Sequence, residues 1–222
     1  MPRVSPATPI PAAPADPETA ARLRPLSKVE LHQHVDGSIP AEVTWDLMRH
    51  YRLNPAPTLD QMRRFLEMQP GEEGTLLAYL DKMHYPLWVT QFYENISRVV
   101  EAICRSAAEA GVRTLELRYA PLIHTYAGLT PRQSIRAALS GMNHAKRTHP
   151  EMKLGLIVIA MRQHGPHIAK VLARQAHGVG AVEPHADPSQ DLLYQLSRAV
   201  VQKYNNRTDK RARYRPKNPE KK

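Results

Sequence analysis

Three strand-like segments, each followed by helix-like sequence, constrain the fold more than any other feature of this chain. They cover residues 29–35, 112–121 and 152–161. The third, MKLGLIVIAM, is continuously apolar, which is typical of a parallel strand buried on both faces. Repetition of strand and helix predicts a parallel α/β sheet with right-handed crossovers. The pattern alone fits either an open doubly wound sheet or part of a (β/α)8 barrel.

Apolar spacing and capping signals predict the helices. Between the first and second strands we predict three short helices, over residues 41–51, 59–68 and 76–83, and one long helix over 87–110. The long helix has an apolar stripe at three- and four-residue spacing. Its members are Trp88, Phe92, Ile96, Val99, Val100, Ile103 and Ala107. Two further helices are predicted over 131–147 and 165–176, so a helical insertion follows the first strand only.

Composition divides the chain into three parts. Residues 1–25 hold seven of the twenty prolines and are predicted to be a disordered leader. Residues 26–176 form the predicted domain, and 177–222 a predicted irregular and basic tail.

The chain has one cysteine, Cys104, so an intrachain disulfide is excluded, and this residue is expected to be buried and hydrophobic. We expect a cytoplasmic protein without membrane segments, because no apolar run approaches about 20 residues.

The formal net charge of +10 raises the possibility of nucleic-acid binding. Residues 197–222 hold ten Lys or Arg and two acidic residues, so the tail carries +8 of this charge. The body is therefore nearly neutral. Aromatic residues are sparse in the tail and no nucleic-acid-binding motif is present, so specific nucleic-acid binding is not expected. Nucleic-acid binding through the tail stays an alternative function.

The stretch KVELHQHVDGSIP, residues 28–40, holds the main candidate site. Alternate side chains of a strand share a face, so His32, His34 and Asp36 are predicted to point the same way, with Glu30 below them. Two imidazoles at this spacing can hold one divalent ion, and zinc accepts imidazole nitrogen readily. Asp36 could be a ligand, a base or an acceptor for a substrate hydroxyl. The H-x-H pattern also occurs by chance and in metal-dependent phosphoesterases.

The same stretch resembles the opening motif of the adenosine deaminase family, within the metal-dependent amidohydrolases. The resemblance continues through the insertion to the strand end ELRYAP, residues 116–121, to GLTP at 128–131 and to MRQH at 161–164. It covers about residues 26–176. No segment of this chain matches the later family motifs, which are an H-A-G-E segment, a further histidine and an Asp-Asp pair.

The resemblance implies a TIM (β/α)8-barrel fold, here truncated to the first three βα units. It implies hydrolytic deamination of adenosine or a related aminopurine by a zinc-activated water. His32 and His34 would bind Zn²⁺, and His34 and Asp36 would contact the purine nucleoside substrate. Because the later motifs are missing, we expect negligible activity from this chain alone. Open barrel edges would favour self-association.

Other residues near the strand ends are weaker candidates. His164 and His167 could line the site but are more often surface or capping groups. Arg118 and Arg162 are expected to form structural ion pairs rather than to contact substrate. An apolar cap over a purine could come from the insertion, although core packing is the simpler expectation for its members Leu76, Leu77, Leu80 and Met83.

Overall fold

The computed structural model describes residues 16–69, 71–72, 75–161 and 164–179, and every structural statement concerns these residues. The strands are β1 (Lys28–His34), β2 (Val112–Tyr119) and β3 (Lys153–Val158). The α-helices are α1 (Pro17–Leu23), α2 (Ala41–His50), α3 (Leu59–Leu66), α4 (Leu76–Asp81), α5 (His84–Val89), α6 (Tyr93–Glu109), α7 (Pro131–Thr148) and α8 (Pro166–His177). A short 3-10 helix, Pro121–His124, follows β2.

The three strands form one parallel sheet in the order β1-β2-β3. This confirms the predicted parallel arrangement and its order along the chain. Helices connect consecutive strands, so the part of the chain described is an α/β unit. Because the strands are parallel, the residues that follow His34, Tyr119 and Val158 meet at the same edge of the sheet. Candidate site residues lie at this carboxyl edge, where α/β folds place their sites.

Helices α6 and α7 cover one face of the sheet. Leu115, Leu117 and Tyr119 of β2 are fully buried against this helical layer. Close packing is possible because Gly141 of α7 lies against α6, where an added Cβ would clash with the Ser97 carbonyl oxygen. Cys104 is also fully buried, as expected, and burial raises the pKa of its thiol to about 12.

Sequence signals fix the start of α7. Thr130 is the N-cap, and it forms a reciprocal capping box with Gln133, while a proline stands in the first turn. The predicted helix over 131–147 is therefore confirmed within one residue at its end.

The predicted long helix over 87–110 is two helices, α5 and α6, so this prediction is wrong in its first turns. The break lies at Thr90 and Gln91, where the Gln91 side chain takes the Leu87 carbonyl that the Gln91 amide of a continuous helix would use. The Thr90 hydroxyl donates to the Pro86 carbonyl at 2.9 Å, and Gln91 Nε2 donates to the Leu87 carbonyl at 2.8 Å. Trp88 is consequently 54% exposed instead of lying in the buried stripe.

The predicted leader also differs at its end. Residues Pro17–Leu23 form α1, whose N-cap Asp16 accepts a hydrogen bond from the Thr19 amide. Residues 1–15 and 180–222, which hold most of the predicted leader and tail, lie outside the described residues. Within the described part, no helix is long and apolar enough to cross a membrane.

Candidate metal and substrate site

Strand β1 contains an irregularity next to its two histidines. Glu30 pairs with Leu115, and Gln33 pairs with Leu117, so β1 has one residue more than β2 over this interval. Such an extra residue is a β-bulge, which re-aims side chains and is common beside functional sites. Glu30 accepts a hydrogen bond from the His32 amide at 2.9 Å within the bulge.

Because of the bulge, the prediction that Glu30 lies on the same face as His32, His34 and Asp36 is wrong. In the ladder Glu30 lies beside Leu115, which is buried against the helices, whereas His34 lies beside Arg118 on the other face. Glu30 therefore does not share a face with His34. Leu31 and Val29 are 53% and 62% exposed. We call the face of the sheet that carries His34 and Arg118 the open face. Within the described residues it lacks the helical cover of the opposite face.

His32 and His34 lie together at the carboxyl end of β1. Their rings stack, with centroids 5.3 Å apart and an interplanar angle of 29°. Both side chains are exposed, so both imidazoles are available to a ligand or a metal ion. The described residues contain no group of three or more His, Cys, Asp or Glu side chains placed to hold a metal ion. Within the described residues, His32 and His34 therefore offer at most two of the three protein ligands typical of a catalytic zinc site.

An open groove of about 660 Å³ runs along the free edge of β1. Its wall at the carboxyl end includes both histidines, Asp36 and three side chains of the helical insertion. The full lining is Glu30, His32, Gln33, His34, Asp36, Ser38, Tyr79, Leu80, Met83, Ser106, Ala107, Ala110 and Val112. The size is within the range of small-molecule sites.

The insertion approaches the groove through Tyr79, Leu80 and Met83. An added Cβ at Gly37 would clash with the Tyr79 hydroxyl and would lie 3.0 Å from the Met83 methyl carbon, so a side chain here would push the ends of these two residues away. Leu80 is 44% exposed and lines the groove, so the core-packing alternative is wrong for this residue. The side chains of Leu76 and Leu77 lie outside what the structure describes.

Asp36 lies near the buried end of β2. Burial raises the pKa of the Tyr119 hydroxyl, and the negative charge of Asp36 raises it further. Tyr119 is held by Ser134, with 2.5 Å between the two hydroxyl oxygens. Asp36 thus follows the two histidines and lies close enough to Tyr119 for its charge to act on that hydroxyl.

The sequence interpretation missed His124, the most buried histidine among the described residues. His124 Nδ1 lies 3.1 Å from the Thr90 carbonyl, which can only accept, so Nδ1 carries the proton. The ring stacks on Tyr119 with centroids 4.8 Å apart. Burial lowers the pKa of His124 to about 4. In the sequence, only the apolar run APLI directly before His124 indicated that this histidine is buried.

The remaining candidates are dispersed. His164 follows β3 at the carboxyl edge and is half-buried, and His167 is exposed in the first turn of α8. Neither lines the groove that contains His34. Arg118, the next-to-last residue of β2, forms no ion pair within the described residues, so the structural pairing expected for it is absent there. Arg162 lies outside the described residues.

Comparison with known proteins places this geometry in a family. A family model described as adenosine deaminase matches residues 27–183. An adenosine deaminase from Clostridium perfringens is 30% identical over 140 residues, which cover 63% of this chain and 42% of that protein. The chain thus spans less than half the length of this curated relative.

Solved structures show the same fold. An amidohydrolase from Burkholderia ambifaria with bound Zn superposes with a TM-score of 0.62 at 18% identity, covering 78% of this chain and 46% of that one. The N6-mAMP deaminase of Arabidopsis superposes with a TM-score of 0.60 at 18% identity, covering 73% and 49%. The deaminases among the matching structures are TIM barrels, and the three-stranded parallel sheet is consistent with part of such a barrel. By the match over most of its length, this chain belongs to the adenosine deaminase family.

Proposed function

We propose that this chain supplies the zinc-binding and nucleoside-binding half of an aminopurine deaminase site. Its three βα units correspond in this proposal to the first three units of a TIM barrel. The observation that carries it is the stacked pair His32 and His34 at the carboxyl end of β1, inside the segment that matches the family model. The phosphoesterase and nucleic-acid alternatives gain no support from these comparisons.

The proposed metal ligands are His32 and His34. When bound there, zinc would supply Lewis-acid chemistry that lowers the pKa of a water molecule. The chain itself holds the two rings in a stacked arrangement beside a bulge, where the His32 amide is fixed by the Glu30 carboxylate. Two ligands bind more weakly than three, so the metal affinity of this chain should be modest.

The proposed substrate contacts come from Asp36 and the insertion. An ionised carboxylate accepts hydrogen bonds, so Asp36 is suited to a ribose hydroxyl. Leu80 and Met83 offer an apolar wall for a purine ring on the same groove. A purine nucleoside is favoured because the curated relatives are named adenosine deaminase and the structural neighbours include adenine and N6-mAMP deaminases.

The catalytic acid and the other ligands of the family motifs have no counterpart in this sequence. Protonation of the purine ring needs a positioned acid in addition to the metal. We therefore expect binding without appreciable turnover by the chain alone. Turnover in the usual enzyme range, about 1–10³ per second, would contradict this half-site proposal.

Equilibrium dialysis of adenosine against the full zinc-loaded chain tests the proposal. We expect adenosine binding that is weakened about tenfold or more in Asp36→Asn, because a hydrogen bond to a charged group contributes about 1.5–3 kcal/mol. Asp60→Asn is the matched control, since Asp60 is exposed in the first turn of α3. Equal adenosine affinity in Asp36→Asn and wild type would rule out the assigned role of Asp36.

A further inference from the structure

Arg118 occupies a position that the deaminase proposal leaves unexplained. It is the next-to-last residue of β2 and lies beside His34 in the β1–β2 ladder and beside Ile157 in the β2–β3 ladder. Neighbouring strands are about 4.8 Å apart, so its Cα is close to that of the proposed metal ligand. Residues 115, 117 and 119 point into the helical core, which places Arg118 on the open face with His34.

The Arg118 guanidinium lacks a partner within the described part of the chain. Its Nε atom is buried and makes no hydrogen bond, and no carboxylate lies within ion-pair distance. Three other arginines, Arg63, Arg98 and Arg113, do form ion pairs, and Arg113 Nη1 lies 3.1 Å from Glu151 Oε1. A half-buried cation without a counter-charge is costly, since burial weakens its hydration.

Nearby acids do not neutralise this charge. Glu116 precedes Arg118 by two residues on the same face of β2, and Asp36 follows His34, yet neither forms an ion pair with Arg118 in the structure. Its planar guanidinium carries several N–H donors in a fixed fork, which matches the oxygens of phosphate or carboxylate. The Arg118 guanidinium is therefore suited to bind an anion at the carboxyl edge of β2.

We propose that Arg118 binds the phosphate of a purine nucleoside monophosphate, so that this site prefers a nucleotide over a nucleoside. The inference rests on the proposed function, because a purine ligand is taken from it. Among purine nucleosides and nucleotides, the anionic group available to the guanidinium is the phosphate. Arg118 is then a specificity-determining residue rather than a structural ion-pair partner.

Isothermal titration of the full zinc-loaded chain with AMP, adenosine and inorganic phosphate tests this assignment. We expect AMP to bind at least tenfold more tightly than adenosine, since a charge-assisted hydrogen bond contributes about 1.5–3 kcal/mol. Inorganic phosphate should compete with AMP and leave adenosine binding unchanged. The AMP preference should also fall as salt is raised.

Two substitutions separate binding from folding. Arg118→Gln should abolish the AMP preference, whereas Arg118→Lys should keep part of it, because lysine retains the charge without the fork. Arg147→Gln is the matched control, since Arg147 is exposed in the last turn of α7, at the opposite edge of the sheet. Far-ultraviolet circular dichroism melts of each variant report whether the fold is intact.

The outcomes distinguish the two proposals. Equal affinity for AMP and adenosine in wild type, or an AMP preference that survives in folded Arg118→Gln, overturns the role of Arg118 and leaves the nucleoside site standing. Phosphate binding that depends on Arg118, without binding of AMP or adenosine, shows a site for a free anion only and overturns both the nucleotide preference and the proposed function. Absence of binding by all three ligands overturns both.

Discussion

The two faces of the sheet differ in how completely the described residues cover them. On the helical face, Leu115 and Leu117 are fully buried under α6 and α7. On the open face, Val29 and Leu31 are mostly exposed, although they lie in the same sheet. The open face also carries His32 and His34, so the proposed site lies where the described residues pack least completely.

This contrast separates stability from function. Burial of apolar side chains is the dominant favourable term in folding, so the helical face should supply most of the stability. Exposed polar side chains on the open face contribute little to stability and are free to bind ligands. Substitutions on the two faces should therefore have different consequences, and the predictions below test that division.

The largest difference is expected between Leu117→Ala and Leu31→Ala. Truncation of a buried leucine typically lowers the free energy of unfolding by about 2–5 kcal/mol, so Leu117→Ala should be strongly destabilising. Leu31→Ala should change it by less than about 1 kcal/mol, because Leu31 is already exposed. Urea unfolding followed by circular dichroism measures both. Similar losses in the two variants would show that the open face is covered in solution.

A second effect on the helical face is pH dependence through His124. Burial holds its pKa near 4 in the folded chain, against about 6.5 when unfolded. Stability should be full above pH 6.5 and should fall between pH 6.5 and 4, because only the unfolded chain takes up the proton there. The loss should be on the order of 3 kcal/mol at most.

His124→Phe is the control for this pH effect, since it keeps an aromatic ring against Tyr119 without a titratable group. Urea midpoints measured from pH 7.5 to 4.5 should fall less steeply in the variant than in wild type. The same slope in both proteins would remove His124 as the cause.

Two glycines offer a smaller test of the same contrast. Gly141→Ala should lower the free energy of unfolding by about 1–3 kcal/mol, because its Cβ would clash with the Ser97 backbone of α6. At Gly155, on the open face of β3, a Cβ would lie 3.5 Å from the Glu116 side chain, which is ordinary contact. Gly155→Ala should therefore be neutral within about 0.5 kcal/mol. Thermal melts that show equal losses would contradict the difference in packing.

The smallest expected effect is self-association of the chain through its exposed strand edges. Both β1 and β3 are edge strands of the described sheet, and exposed edges pair with other chains. Self-association through them stays a prediction. Light scattering after size-exclusion chromatography should show a mass that rises with protein concentration, and a constant monomer mass from micromolar to millimolar concentration would refute it.

Regular features of the fold were predictable from sequence. Thr130, Pro131 and Gln133 mark the start of α7 by local chemistry alone, and the apolar spacing of α6 identifies its buried face from Ile96 onward. The break at Thr90 and Gln91 was not predictable, because the apolar stripe continues through it while the Gln91 side chain takes a helix carbonyl. Competition of a side chain for a carbonyl group leaves no periodic signal.

Only the part of the candidate site that depends on local spacing along the chain was predictable. Strand spacing brought His32 and His34 together, as the structure shows. The bulge that moves Glu30 off their face has no glycine or proline to announce it, since it depends on pairing with β2. The approach of Tyr79 and the absence of a partner for Arg118 are long-range properties that local patterns do not encode.

Zinc content is the most direct test of the central claim, which is that the open face carries the metal site. Elemental analysis after zinc loading and dialysis should find retained zinc in wild type and in His84→Ala/His177→Ala, a control that removes two exposed, separate histidines. The His32→Ala/His34→Ala variant should lose it, because both proposed ligands are gone. Equal zinc content in all three proteins would contradict the assignment of this site.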